Sequence, residues 1–182
     1  MKQKFTSANT SINTTKLPAI YNMLPLEKLR GLTIFDYGCG KKETVELIQK
    51  KLEPYDIDFI GYDIYNLSDA DNCYAFERRK EANIYICSNV LNVIKENEIV
   101  QQIINDLSKW AFRSGIEQCP IFIKIYEGNK TGIGQETKKD CWQKNLKTKE
   151  YLTLFDFPDM YAKTYKGIIV NIEGQSLLKK GK

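Results

Sequence analysis

Residues Thr33 to Gly40 read Thr-Ile-Phe-Asp-Tyr-Gly-Cys-Gly, a short apolar run that breaks into an acidic, glycine-rich turn. An amphipathic stretch follows at once, Lys42 to Leu52, with Val45, Leu47, Ile48 and Leu52 at helical spacing and Pro54 as its stop. That strand-turn-helix order constrains the fold more than any other feature of the chain. Gly38 and Gly40 lack a Cβ, so the turn can take dihedrals closed to other residues and bring a ligand against backbone. A helix starting after it points its N-terminus at the turn and favours an anionic group there. A second apolar run, Ile57 to Tyr62, ends in Asp63, at the separation from the turn where dinucleotide-binding folds keep a ribose-binding acid. A carboxylate accepts only, which suits two donating ribose hydroxyls. The turn is not the full Gly-x-Gly-x-x-Gly fingerprint, because Glu43 stands at the third glycine position.

The same grammar repeats downstream. Asn83 to Ser88 reads as a buried strand, and Val90 to Phe112 keeps helical spacing through Leu91, Ile94, Ile99, Ile103, Leu107 and Trp110. Pro120 to Tyr126 is a further strand and Gly167 to Ile172 a last one. Between Asn66 and Ala82 a strand is hard to find; it is either short, around Cys73 to Phe76, or lost. Residues 1–16 are rich in Ser, Thr and Asn, which predicts a loop or ordered arm outside the core. Lys16 to Leu29 is loosely helical but broken by Pro18 and Pro25. A polar insertion runs through 127–150. Strands alternating with helices predict one domain over 1–182, built on a parallel sheet covered on both faces.

Bulk properties narrow the function. At 182 residues with 42% hydrophobic content the chain can bury one real core. A net charge of +4 permits contact with nucleic acid without demanding it. No apolar stretch reaches membrane-span length, and Met1-Lys2-Gln3-Lys4 lacks an apolar signal core, so a cytoplasmic protein without membrane contact is expected. The five cysteines have no metal-ligand spacing and there is no histidine, so no metal site is expected. Nucleophilic triads built on histidine are excluded, and the commonest general base is missing.

Asp36 to Gly40 together with Asp63 resemble the cofactor site of class I S-adenosylmethionine-dependent methyltransferases. The resemblance implies a Rossmann-like three-layer sandwich with a mostly parallel, doubly wound sheet and an antiparallel final strand. It implies S-adenosylmethionine as cofactor, held by Asp36, Tyr37, Gly38, Cys39, Gly40, Asp63, Ile64, Ser88, Asn89 and Val90. Lys41 and Lys42 depart from it, standing where the family often has another glycine. Ser88-Asn89-Val90-Leu91-Asn92-Val93-Ile94 is similar to a stretch in small phage and bacterial methyltransferase-like proteins of uncertain target. Those proteins also share an arm like Asn9-Thr10-Ser11 and segments like Tyr126-Glu127-Gly128 and Thr137 to Gln143. This narrower resemblance covers about residues 8 to 151.

The catalytic candidates are Asn89 and Glu127. Asn89 either faces the transferred methyl or caps the helix after it, a role asparagine fills well. Glu127 is either a base on the rim or a solvated loop residue. Gly128 to Glu150 holds six lysines against three acids, with Trp142 central. Lys138, Lys139, Trp142 and Asn145 are substrate candidates, on a mobile lid that would admit nucleic acid as acceptor. The alternative is a solvated lysine-rich surface with Trp142 tucked into the core. The Asn89-Val90-Leu91-Asn92 run lacks the paired prolines of enzymes that methylate base amines, and Cys119-Pro120 reverses the Pro-Cys order of cytosine C5 enzymes. The methyl acceptor and the oligomeric state stay unassigned. Three readings stand: a methyltransferase of unknown acceptor, a cofactor-binding protein without transfer activity acting as partner or inhibitor, and a nucleotide-binding module.

Overall fold

Ile34 and Phe35 are neighbours on the first strand, both fully buried, yet they belong to different cores. Successive side chains on a strand point to opposite faces, so a sheet whose every residue is buried must be covered on both sides. The computed structural model describes residues 3–5, 15–112, 118–128, 134–164 and 167–178. Its main strands are β1 (Thr33–Tyr37), β2 (Asp58–Tyr62), β3 (Ile84–Ser88) and β4 (Ile121–Lys124). The insertion carries β5 (Gln135–Lys138) and β6 (Cys141–Gln143), and the chain finishes with β7 (Ala162–Lys163) and β8 (Ile168–Val170). The helices are α1 (Lys42–Leu52), α2 (Asp69–Arg78), α3 (Asn97–Ala111), α4 (Thr148–Leu154) and α5 (Ile172–Leu177).

The six-stranded sheet has the order β2-β1-β3-β4-β8-β7. β2, β1, β3 and β4 are mutually parallel, while β8 runs antiparallel to β4 and β7 antiparallel to β8. On one face Ile34, Ile84, Ile86 and Phe122 pack with Ile48 and Leu52 of α1. On the other, Phe35, Tyr85, Cys87, Ile121 and Ile123 pack with Val100, Ile103, Ile104 and Leu107 of α3. Each such side chain stabilises the fold by roughly 1.5–3 kcal/mol relative to exposure. The architecture is a Rossmann-like, mostly parallel doubly wound sheet with an antiparallel last strand. Among the described residues no helix is long and apolar enough to cross a membrane.

Three local expectations change. Cys73 to Phe76 forms no strand: Ser68 caps α2 by accepting the Asp71 N–H at 3.1 Å, and Asp69 and Asp71 sit in the first turn, where acids suit the helix dipole. Among the described residues β2 is therefore an edge strand. The helix read from Val90 begins only at Asn97; Leu91–Val93 is a short 3-10 turn that buries Leu91 and sends Ile94 into the same core. The apolar spacing is satisfied there without continuous α-helix. Within the insertion, β5 and β6 form an antiparallel hairpin with Asp140 in the left-handed region at its turn. Phe5 of the polar arm is buried at 6% exposure. Asn9-Thr10-Ser11 lies outside the described residues.

Candidate functional site

β1 has β2 on one side and β3 on the other, so the chain leaves β1 and β3 toward opposite faces and a crevice opens beyond their carboxyl ends. A cleft of about 630 Å³ lies there. All ten residues assigned to a cofactor by resemblance line it: Asp36, Tyr37, Gly38, Cys39, Gly40, Asp63, Ile64, Ser88, Asn89 and Val90.

The glycine turn is held by β2. Gly38 and Gly40 have φ of 78° and 88°, which only glycine adopts without strain. Gly38 and Cys39 donate their N–H groups to the Tyr62 carbonyl at 2.7 and 3.2 Å, and Gly40 donates to Asp63 Oδ2 at 3.0 Å. A Cβ on Gly38 would meet Val90 Cγ2 at 2.3 Å, so the loop after β3 packs where that side chain is missing. Asp63 Oδ1 accepts from Tyr65 N, Asn66 N and Asn66 Nδ2, each at 3.0 Å. Four donors already occupy a carboxylate with about four lone-pair sites, and only Oδ2 has room for one more. Asn72 of α2 clamps the Asp63 backbone from both sides, accepting its N–H at 2.9 Å and donating to its carbonyl at 3.0 Å.

Asp36 is buried with one oxygen satisfied. Tyr21 Oη donates to Oδ2 at 2.6 Å, while Oδ1 has no partner among the described residues. Burial pushes the Asp36 carboxyl up to about 7; the Tyr21 hydrogen bond opposes the rise and the neighbouring Asp63 charge adds to it. Thr44 Oγ1, Ser88 Oγ and Trp142 Nε1 are likewise buried without partners. These four belong to residues lining the cleft, while the other two such atoms among the described residues, Glu96 Oε2 and Tyr151 Oη, lie off it. A buried polar atom left unpaired costs about 1–3 kcal/mol, so four together mark a place built to receive polar groups.

On the far side of the cleft, Asn89 has φ of 59° and is exposed. Its N–H extends the β3–β4 ladder to the Lys124 carbonyl at 2.8 Å, and its carboxamide makes no hydrogen bond among the described residues. Since the next α-helix starts at Asn97, Asn89 is not its cap. Tyr126, just past β4, is 54% exposed and lines the same wall. Glu127 does not line the cleft. Its Oε1 accepts from Thr148 N at 2.8 Å and from the Thr148 hydroxyl, and Lys163 Nζ stands 3.6 Å away. Those hydrogen bonds from Thr148, with Lys163 beside them, hold its pKa below the usual carboxylate value.

The insertion divides. Lys138 and Trp142 line the cleft; Lys139 and Asn145 do not. Cys141 is fully buried, Asn145 is buried, and Lys144 donates its N–H to the Asn92 carbonyl at 2.6 Å. Buried Lys144 Nζ donates to Lys95 O at 3.1 Å and Asn97 Oδ1 at 2.7 Å, and burial lowers its pKa. Trp142 lies tilted against Phe5 at 5.4 Å between ring centroids, with Lys95 Nζ 4.9 Å over its ring. Its second strand is thus packed into the body.

Tyr21, Thr44, Asn72 and Phe5 escaped the sequence reading. The basic run Arg78-Arg79-Lys80 marked the end of the helix that delivers Asn72, and Ser68 followed by Asp71 marked its start.

No protein-family model matches the chain, and no curated protein matches it. Among solved structures, the crystal structure of Streptomyces venezuelae DesVI is similar at 14% identity and a TM-score of 0.36, over 64% of this chain and 53% of that one. The chain spans about half the length of that protein.

Proposed function

We propose that this protein is an S-adenosylmethionine-dependent methyltransferase whose cofactor lies in the cleft between the ends of β1, β2 and β3. The observation that carries the reading is the set of orphaned buried atoms on Asp36, Thr44 and Ser88, gathered at the switch point beside the Gly38 to Gly40 turn. The residues present fit such a ligand. Asp36, ionisable near neutrality and short of one partner, suits the cationic amino acid end. Asp63 Oδ2 keeps one acceptor position for a ribose hydroxyl. Ile64, 51% exposed beside it, offers an apolar face for a planar ring. When bound, the cofactor supplies an electrophilic methyl carbon on a sulfonium. The protein's contribution is to exclude water, hold the two reactants in line and let the acceptor proton escape.

A second reading, a protein that binds the cofactor without transferring methyl, is favoured by Glu127 standing off the cleft: among the described residues no carboxylate other than Asp36 and Asp63 lines it. Calorimetry with S-adenosylmethionine and S-adenosylhomocysteine, compared with NAD and ATP, tests the cofactor. Saturable binding of the first two alone is expected, and preference for NAD or ATP would overturn the reading. Tritiated-methyl transfer to DNA, RNA or cell lysate then separates the enzyme from the binder.

A further inference from the structure

We propose that the methyl acceptor is a nucleobase carried on a phosphate-bearing nucleotide, recognised by Asn89, Tyr126 and Lys138. The inference rests on the methyltransferase reading and names the substrate class of that site. Asn89 and Tyr126 stand at the ends of adjacent strands, joined by the Asn89 N–H to Lys124 carbonyl bond. Both are exposed and line the cleft. A carboxamide offers one donor group and one acceptor, the pattern that matches the edge of a nucleobase. A half-exposed phenol ring offers a face on which a base can stack. Asn89 is held in the left-handed region, which costs a non-glycine residue free energy. Trp142 is not the platform, because Phe5 and Lys95 lie against its ring and Gly134 backs its indole nitrogen edge.

Charge narrows the class. Among the described residues the only acids lining the cleft are Asp36 and Asp63, at the glycine turn, and the lining cations are Lys16 and Lys138. A cationic acceptor such as a lysine side chain would find no further carboxylate there, whereas a phosphate would find an ammonium. In the transfer, the acceptor nitrogen's electron pair forms the N–C bond as the C–S bond of the sulfonium breaks. The bonding pair stays on sulfur as a thioether, and one N–H proton leaves through the cleft mouth to water.

The test uses the full chain saturated with S-adenosylhomocysteine. The probes are 2-aminopurine riboside monophosphate and a short single-stranded DNA containing 2-aminopurine, whose fluorescence is quenched by stacking. Quenching is expected with one or both, and which one distinguishes a free nucleotide from a nucleic acid. Tyr126→Ala should weaken binding roughly 5- to 100-fold, as loss of one stacking platform does, and Tyr126→Phe should restore it. Asn89→Gly, which keeps the backbone conformation, should weaken binding by roughly 10-fold. Lys138→Ala should weaken it and lower the salt slope by about one unit, while Lys139→Ala, off the cleft, leaves both unchanged. Absence of quenching with both probes overturns the proposal. So does stronger probe binding in the absence of S-adenosylhomocysteine than at saturation, or equal effects of Lys138→Ala and Lys139→Ala. Calorimetry with S-adenosylhomocysteine alone keeps the two readings apart: its binding with no probe binding sinks only the acceptor assignment.

Discussion

Gly40 donates its backbone N–H to Asp63 Oδ2 at 3.0 Å, so the acid that follows β2 holds the turn that follows β1. With Tyr65 and Asn66 on the other oxygen, Asp63 acts as a structural clasp before any ligand arrives. Asp63→Asn replaces one acceptor oxygen with a donor and sets N–H against N–H on one side. Ligand-free stability from urea unfolding should fall by about 1–3 kcal/mol, the cost of leaving buried donors unpaired. Unchanged stability with lost S-adenosylhomocysteine affinity would restrict Asp63 to the ligand.

Gly38 and Val90 should couple energetically. Gly38→Ala puts a Cβ 2.3 Å from Val90 Cγ2 and forces alanine to φ of 78°. Val90→Ala removes the clash and leaves the dihedral, which costs roughly 1–2 kcal/mol for an L-residue. The double mutant should therefore be more stable than the sum of the singles implies, by about 0.5–3 kcal/mol. Additive singles would mean that the loop after β3 yields freely.

The continuous apolar runs of β1, β3 and β4, buried on both faces, and the glycine turn were legible in the sequence because both are local: each follows from neighbours in the chain. The lost strand was less so. Residues 73 to 76 offer mixed polarity, and what decides their state is the Ser68 cap a turn earlier and the docking of Asn72 onto Asp63. The insertion was misjudged as a loop for a related reason. Its lysines read as solvent-facing, yet Lys144 is buried because Lys95 and Asn97, nearly fifty residues away in sequence, supply acceptors. The clasp role of Asp63 also depends on partners that no spacing rule names. Local chemistry places the cleft; long-range hydrogen bonds decide what is left to a ligand.

Stability should report on Asp36. Its folded pKa, about 7, lies above the ordinary carboxylate value, so the folded state holds a proton that the unfolded chain has lost. Stability linked to this group is full below about pH 4 and declines as pH rises from there through 7. Asp36→Asn keeps an acceptor for Tyr21 Oη and removes the titration. Between pH 5 and 8 the melting temperature of the wild type should fall relative to that of Asp36→Asn, and parallel curves would show that Asp36 is ionised throughout. A cationic ligand that needs the carboxylate should bind more tightly as pH rises through 7.

Phe5 should govern how the β5–β6 hairpin sits on the cleft. Its ring, 6% exposed, lies against Trp142, Lys95 Nζ is within 5.7 Å of it, and the neighbouring Lys4 N–H bonds Glu96 Oε1 at 3.0 Å. These contacts tie residues 3–5 to β6 and to the turn before α3, so the far wall of the cleft is closed by a segment remote in sequence. Little of the central core touches Phe5, and Phe5→Ala should leave global unfolding nearly unchanged. What should change is local opening: amide exchange at Cys141 to Lys144 should quicken by about 10-fold or more, the signature of a low-stability unit. In a Trp110→Phe background, Trp142 emission should shift to the red as its ring meets water. Unaltered exchange and emission would show that β6 is held by Asn92 and Lys144 alone.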